Sequence, residues 1–112
     1  MDSVLISHRN AIQQVFKSYI DFLGNDDDTQ FEMVMDNENQ RYLLVEIGWH
    51  NSRRIYGTLL HIDIISDKLW IQQDGTEEGI ANELVTLGIP KEQIVLGFKP
   101  LERRKLTEFA AS

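Results

Sequence analysis

The chain has 112 residues, 42% of them apolar, with no cysteine, and its 18 acids against 11 bases give a net charge of −7. That length accommodates one hydrophobic core but not separate catalytic and regulatory domains, and the lack of cysteine excludes a disulfide framework or a thiolate metal site. The charge opposes nonspecific binding to a duplex, which depends on Lys and Arg displacing the counterions around phosphates.

The acidity is uneven. Residues 1–40 hold eight acids against Arg9 and Lys17, whereas residues 41–112 hold ten acids against nine bases. A solvated, solubilising surface accounts for this, and an acidic face turned toward a basic protein is the functional counterpart. The start, MDSVLISHRN, lacks a signal peptide's basic opening and apolar run, and no apolar stretch approaches the ~20 residues of a membrane span. A soluble, cytoplasmic protein is expected.

Residues 4–23 are predicted to form the first helix, with Ser3 as a cap and an apolar stripe of Leu5, Ile12, Val15, Phe16, Tyr19, Phe22 and Leu23. Gly24 is expected to end it. The following Asn25, Asp26, Asp27 and Asp28 invite a calcium reading, but the alternate-position oxygens and downstream glutamate of a calcium loop are missing. A solvated loop fits better.

Residues 31–36 and 41–50 read as two strands joined by a four-residue loop. In the second, Leu43, Val45, Ile47 and Trp49 alternate against Tyr42, Glu46 and His50, which predicts a core on the odd-numbered side. A polar turn leads to a third strand, residues 55–65, in which Tyr56, Thr58, Leu60, Ile62 and Ile64 share a face opposite His61 and Asp63. Ser66 and Asp67 form a turn into a fourth strand, residues 69–73. Asp74 and Gly75 then break the chain, and a second helix is predicted at once. Asp74 or Thr76 caps it, Glu77 and Glu78 occupy its first turn, and Ile80, Leu84 and Leu87 make its stripe. It should stop in a Schellman motif, with Gly88 left-handed, Ile89 folded back on Leu84 and Pro90 blocking continuation. Residues 92–96 read as a short extended piece and residues 100–111 as a basic, weakly helical tail.

Connections this short join antiparallel neighbours. The expected fold is therefore α+β: a two-layer domain spanning residues 1–112, with an amino-terminal helix, a four-stranded antiparallel meander, a second helix packed on the sheet and a short carboxy-terminal strand and tail.

Four clusters bear on chemistry. His61 and Asp63 project from one strand face and suit acid/base or metal work, for which His50 and Asp74 are the candidate additional groups. The structural reading is a hydrogen-bonded pair on a solvated face. Asp74, Gly75, Thr76 and Glu77 offer amides for a phosphate, yet Glu77 and Glu78 would repel one. Lys99, Arg103, Arg104 and Lys105 form the best nucleic-acid feature, diluted by Glu102 and Glu108. Arg53 and Arg54 beside Trp49 and Tyr56 read as cation–aromatic stacking. Trp49, Tyr56 and Trp70 are core or contact anchors, and Leu59, His61, Asp63, Ile65 and Trp70 are the expected partner-binding or self-association face.

The runs HIDI from His61, WIQQDGTEEGIANELVTLGIP from Trp70 and IVLGF from Ile94 resemble the XisI family, the fdxN element excision controlling factors of cyanobacteria. The resemblance extends more loosely through the first helix and RYLLVEIGW to LTEFAA. It implies an accessory, non-enzymatic role in a programmed DNA rearrangement, beside a nuclease-like XisH partner and a site-specific recombinase. It supplies no catalytic residue, no metal ligand and no cofactor, and it leaves DNA contact indirect or weak.

Overall fold

The computed structural model describes residues 3–23 and 28–112. Its elements are α1 (Ser3–Leu23), β1 (Thr29–Asp36), β2 (Arg41–His50), β3 (Arg53–Ile65), β4 (Lys68–Asp74), α2 (Ala81–Thr86), a 3-10 turn (Lys91–Gln93), β5 (Ile94–Leu96) and α3 (Leu101–Arg104). The strands lie in the order β1-β2-β3-β4-β5. The first four form the expected antiparallel meander, and β5 extends it by pairing parallel to β4. A parallel neighbour requires a long crossover, which the segment containing α2 supplies.

Two turns are tight because both of their residues take left-handed backbone. Asn51 and Ser52 join β2 to β3 at φ 49° and 65°, and Ser66 and Asp67 join β3 to β4 at φ 50° and 63°. This is the hairpin geometry whose twist matches that of the strands. Between β1 and β2, the Asp36 carboxylate accepts from the Glu38 and Asn39 backbone N–H groups and from Asn39 Nδ2. Those three bonds lower its pKa below the usual 3.8. Gly48 has a different purpose: a Cβ there would stand 2.1 Å from the Asp28 carbonyl oxygen. That same carbonyl accepts from the Trp49 N–H at 2.8 Å. Gly24, Asn25, Asp26 and Asp27, on which the helix stop and the calcium reading fell, lie outside the described residues.

The core lies between α1, α2 and one sheet face. Ile12, Val15 and Phe16 of α1 and Leu84 of α2 cover Tyr42, Leu44, Leu60, Ile62, Ile64, Leu69 and Ile71, all buried. Each such Leu or Ile contributes about 1.5–3 kcal/mol. Hydrogen bonds from His8 and Arg9 fix α1 to one end of the sheet. His8 Nε2 donates to the Asp67 carbonyl at 2.9 Å, and Arg9 Nε donates to Tyr42 Oη at 3.0 Å. His8, buried like Ile12 four residues on, belongs to the α1 stripe although it is polar. The far end of that stripe departs from expectation. Phe22 is 83% exposed and Leu23 41%, because α1 runs past the sheet it covers. Ser3 lies inside α1 rather than before it.

The face assignment of β2 is reversed. Tyr42 and Leu44 point into the core, whereas Leu43, Val45 and Ile47 are only part-covered and Trp49 is 53% exposed. Both alternations of RYLLVEIGW carry apolar residues, so period alone could not choose between them. In β3 the reading holds for Leu60, Ile62 and Ile64 but fails for Tyr56 and Thr58, which are exposed. The cause is a bulge: Leu44 pairs with Leu60 and Val45 with Thr58, leaving Leu59 as the extra residue. Beyond it the faces of β3 exchange.

Helix α2 is shorter than expected. Asp74 does cap, but it caps a loop: Oδ1 accepts from Thr76 N–H and Oγ1, and Oδ2 accepts from the Ile80 N–H at 2.9 Å. Gly79 at φ 82° keeps residues 75–79 out of the helix, so Glu77 and Glu78 precede it. Leu87, at 38% exposure, leaves the stripe. The helix end matches the expectation. Gly88, at φ 101°, donates to the Val85 carbonyl at 2.9 Å and Ile89 to that of Leu84 at 3.1 Å, the two bonds of a Schellman motif.

Candidate functional site

The sheet face opposite the helices is the broadest candidate surface. Cross-strand pairing sets Val34 beside Leu43, Ile47 beside Tyr56, Trp49 beside Arg54 and Asp63 beside Trp70. Val34 is 44% exposed, Tyr56 72% and Ile65 45%. The Arg54 guanidinium lies 5.1 Å from the Trp49 ring centroid, the stacking expected from the sequence.

At its centre His61 Nε2 donates to Asp63 Oδ1 at 2.7 Å, and Gln72 Nε2 donates to Asp63 Oδ2 at 3.3 Å. Gln72 reaches this pair because it is the extra residue of a second bulge, between the pairs His61–Gln73 and Ile62–Ile71. The arrangement is an ordered polar centre in an apolar surround. The other two residues considered for it stay apart. Asp74 is committed to Thr76 and Ile80, and His50 sits at the strand end beside Asn51. Among the described residues no three His, Asp or Glu side chains converge to hold a metal. Leu59 also leaves the group: it packs against the core, and its carbonyl accepts from Gly75 at 2.8 Å.

The carboxy-terminal segment covers one edge of this face. Ala110 donates to the Ile94 carbonyl at 2.9 Å and forms a bridge with Val95. Arg104 places its guanidinium 5.3 Å from the Trp70 ring centroid, while Nε donates to the Lys99 carbonyl and Nη1 to that of Ala111. Lys68 Nζ donates to the Ser112 carbonyl. The tail is therefore fastened to the sheet. Of the four-residue basic cluster, Arg104 is a clamp, Lys99 lies 5.7 Å from the Phe98 ring centroid, and Arg103 and Lys105 remain exposed.

A concavity of about 530 Å³ lies in the helical layer between the end of α1 and residues 75–79. Tyr19, Phe22 and Leu23 line it with Glu77, Glu78 and Glu83. Burial, followed by the Asp74, Glu46, Glu77 and Glu83 carboxylates, pushes the Tyr19 hydroxyl above its usual 10.0. The phosphate reading of residues 74–77 ends here: the loop amides serve Asp74 and Thr76, and the field is negative. Sequence reading missed this cleft because it assigned Phe22 and Leu23 to the core. Their spacing is that of buried residues, and only the length of α1 relative to the sheet exposes them.

Comparison with known proteins follows the same outline. The family model described as XisI protein matches residues 1–111. An XisI-like protein from Anabaena variabilis ATCC 29413 superposes with a TM-score of 0.88 at 30% identity, over 96% of this chain and 99% of its own. The fdxN element excision controlling factor XisI from Anabaena variabilis ATCC 29413 gives 0.83 at 32% identity, over 98% and 100%. No curated protein matches. No described helix is long and apolar enough to cross a membrane.

Proposed function

The chain belongs to the XisI family, and on that premise we propose that it is a non-enzymatic accessory factor in the controlled excision of a DNA element, working through protein contacts. The reading is supported by a solved relative described as an excision controlling factor. The observation that carries it to a mechanism is the open sheet face, where Val34, Trp49, Tyr56 and Ile65 are exposed on the side away from the helices. Contiguous apolar surface on a small domain marks a contact site, and aromatic residues supply most of the binding energy at such sites.

The partner that fits the reading is a nuclease-fold protein of XisH type, with a site-specific recombinase or a second copy of the chain as the other occupants of the same face. His61, Asp63, Ile65 and Trp70 belong to it, while Leu59 does not. The paired His61 and Asp63 give the apolar patch a directional polar centre, which fixes register more than it adds affinity. Direct binding of DNA through residues 99–105 is disfavoured by the net charge and by the commitment of Arg104 to Trp70 and two carbonyls.

Co-expression with a neighbouring nuclease-like protein, followed by light scattering on a sizing column, tests the proposal. A stable mixed complex is expected, and Tyr56→Asp should dissolve it while leaving the melting temperature of the free chain unchanged. Separate elution of two folded proteins would remove the partner reading. Salt-dependent DNA binding that disappears on deleting residues 99–112 would replace it with the DNA-binding one.

A further inference from the structure

We propose that the cleft between the end of α1 and residues 75–79 is a docking site for a basic, arginine-bearing segment of a partner protein. It lies in the helical layer, away from the open sheet face, so it does not depend on what occupies that face. The concavity of about 530 Å³ has room for a long side chain and its neighbours. Its apolar wall is Phe22, 83% exposed, with Leu23, and its inner side is Tyr19, which packs against the core. Its rim carries Glu77, Glu78 and Glu83, all exposed, and among the described residues none of the three forms an ion pair.

The combination selects the ligand. Three exposed carboxylates oppose phosphates, which excludes DNA and nucleotides. They do not converge as metal ligands require, since no three acidic or histidine side chains do so among the described residues. The carboxylates and aromatic rings together favour guanidinium over ammonium. Its planar fork pairs with carboxylate oxygens in two bonds and its face stacks on a ring, whereas lysine offers a compact, strongly hydrated charge. The exposed Phe22 and Leu23 then require apolar residues beside the arginine. Helix α1 adds to the field, for it has no basic residue in its last turn to offset the negative end of its dipole.

The test uses the full chain and three blocked peptides: one of arginine and leucine, its lysine counterpart and its glutamate counterpart. Titration followed by backbone amide shifts should give saturable one-to-one binding of the arginine peptide, with shifts in residues 18–23 and 75–79. The lysine peptide should bind more weakly and the glutamate peptide not at all. Replacing Glu77, Glu78 and Glu83 together by Gln should weaken binding about tenfold, as expected for three rim charges, with the difference shrinking at high salt. Phe22→Ser, at an exposed position, keeps the fold and should also weaken it. Shifts confined to the sheet face around Trp49 and Tyr56, equal binding of the glutamate peptide, or undiminished binding by the triple variant would overturn the proposal. So would no binding of the arginine peptide at low salt.

Discussion

The two faces of one sheet are built from nearly the same kinds of residue and have opposite fates. On one, Tyr42, Leu44, Leu60, Ile62, Ile64 and Ile71 are sealed under α1 and α2; on the other, Val34, Leu43, Val45, Ile47, Trp49, Tyr56 and Ile65 are part-covered or exposed. An apolar residue is thus not inside because of its type. It is inside because something covers it: α1 and α2 cover one side, while on the other the carboxy-terminal segment reaches only one edge. The second side keeps Val34, Trp49, Tyr56 and Ile65 exposed, the kind of surface on which the proposed partner contact rests.

Substitutions at neighbouring positions of β3 separate those roles. Ile62→Ala removes a fully buried side chain between Tyr42 and Ile71, and should cost about 2–5 kcal/mol in denaturant unfolding. Arg104→Ala breaks the clamp on Trp70 together with two bonds to carbonyls. A loss of about 1–2 kcal/mol is expected, with faster amide exchange in residues 105–112 and little change in α1. A uniform loss of protection would show that the tail belongs to the main cooperative unit. Ile65→Ala, three residues from Ile62 but on the open face, should change stability by less than about 0.5 kcal/mol and weaken the proposed partner complex. If it destabilised the free chain as much as Ile62→Ala, the distinction between the faces would collapse.

The smallest expected effect concerns acid. Asp36 has its folded pKa lowered by the Asn39 and Glu38 bonds, so its contribution is present above the ordinary value of 3.8 and is lost as pH falls through the lower, folded value. Asp36→Asn should lower stability slightly near neutrality and flatten its fall over that acid window. An unchanged acid limb would mean that these bonds do not persist in solution.

Most of the local structure was legible in the residues. The Schellman end at Leu84, Gly88 and Ile89, the Ser66–Asp67 turn, the strands of the meander and the stacking of Arg54 on Trp49 each depend on groups within a few positions along the chain or across one hairpin. The His61–Asp63 bond was legible too, since strand period two puts both on one face. The start of α2 was not. Asp74 was expected to cap the helix directly, but its two oxygens take the Thr76 and Ile80 N–H groups and close the loop that precedes α2.

The sequence by itself determined the order of elements, their turns and the family, because these follow from local backbone chemistry and from motifs carried in contiguous runs. The tertiary structure alone decided which sheet face is inside, where the β3 faces exchange at Leu59, that Phe22 stands clear of the core and that Arg104 fastens the tail. Each of these depends on the reach of one element relative to another. A pattern with apolar residues on both faces, or one extra residue in a strand, is settled only when the pieces are packed.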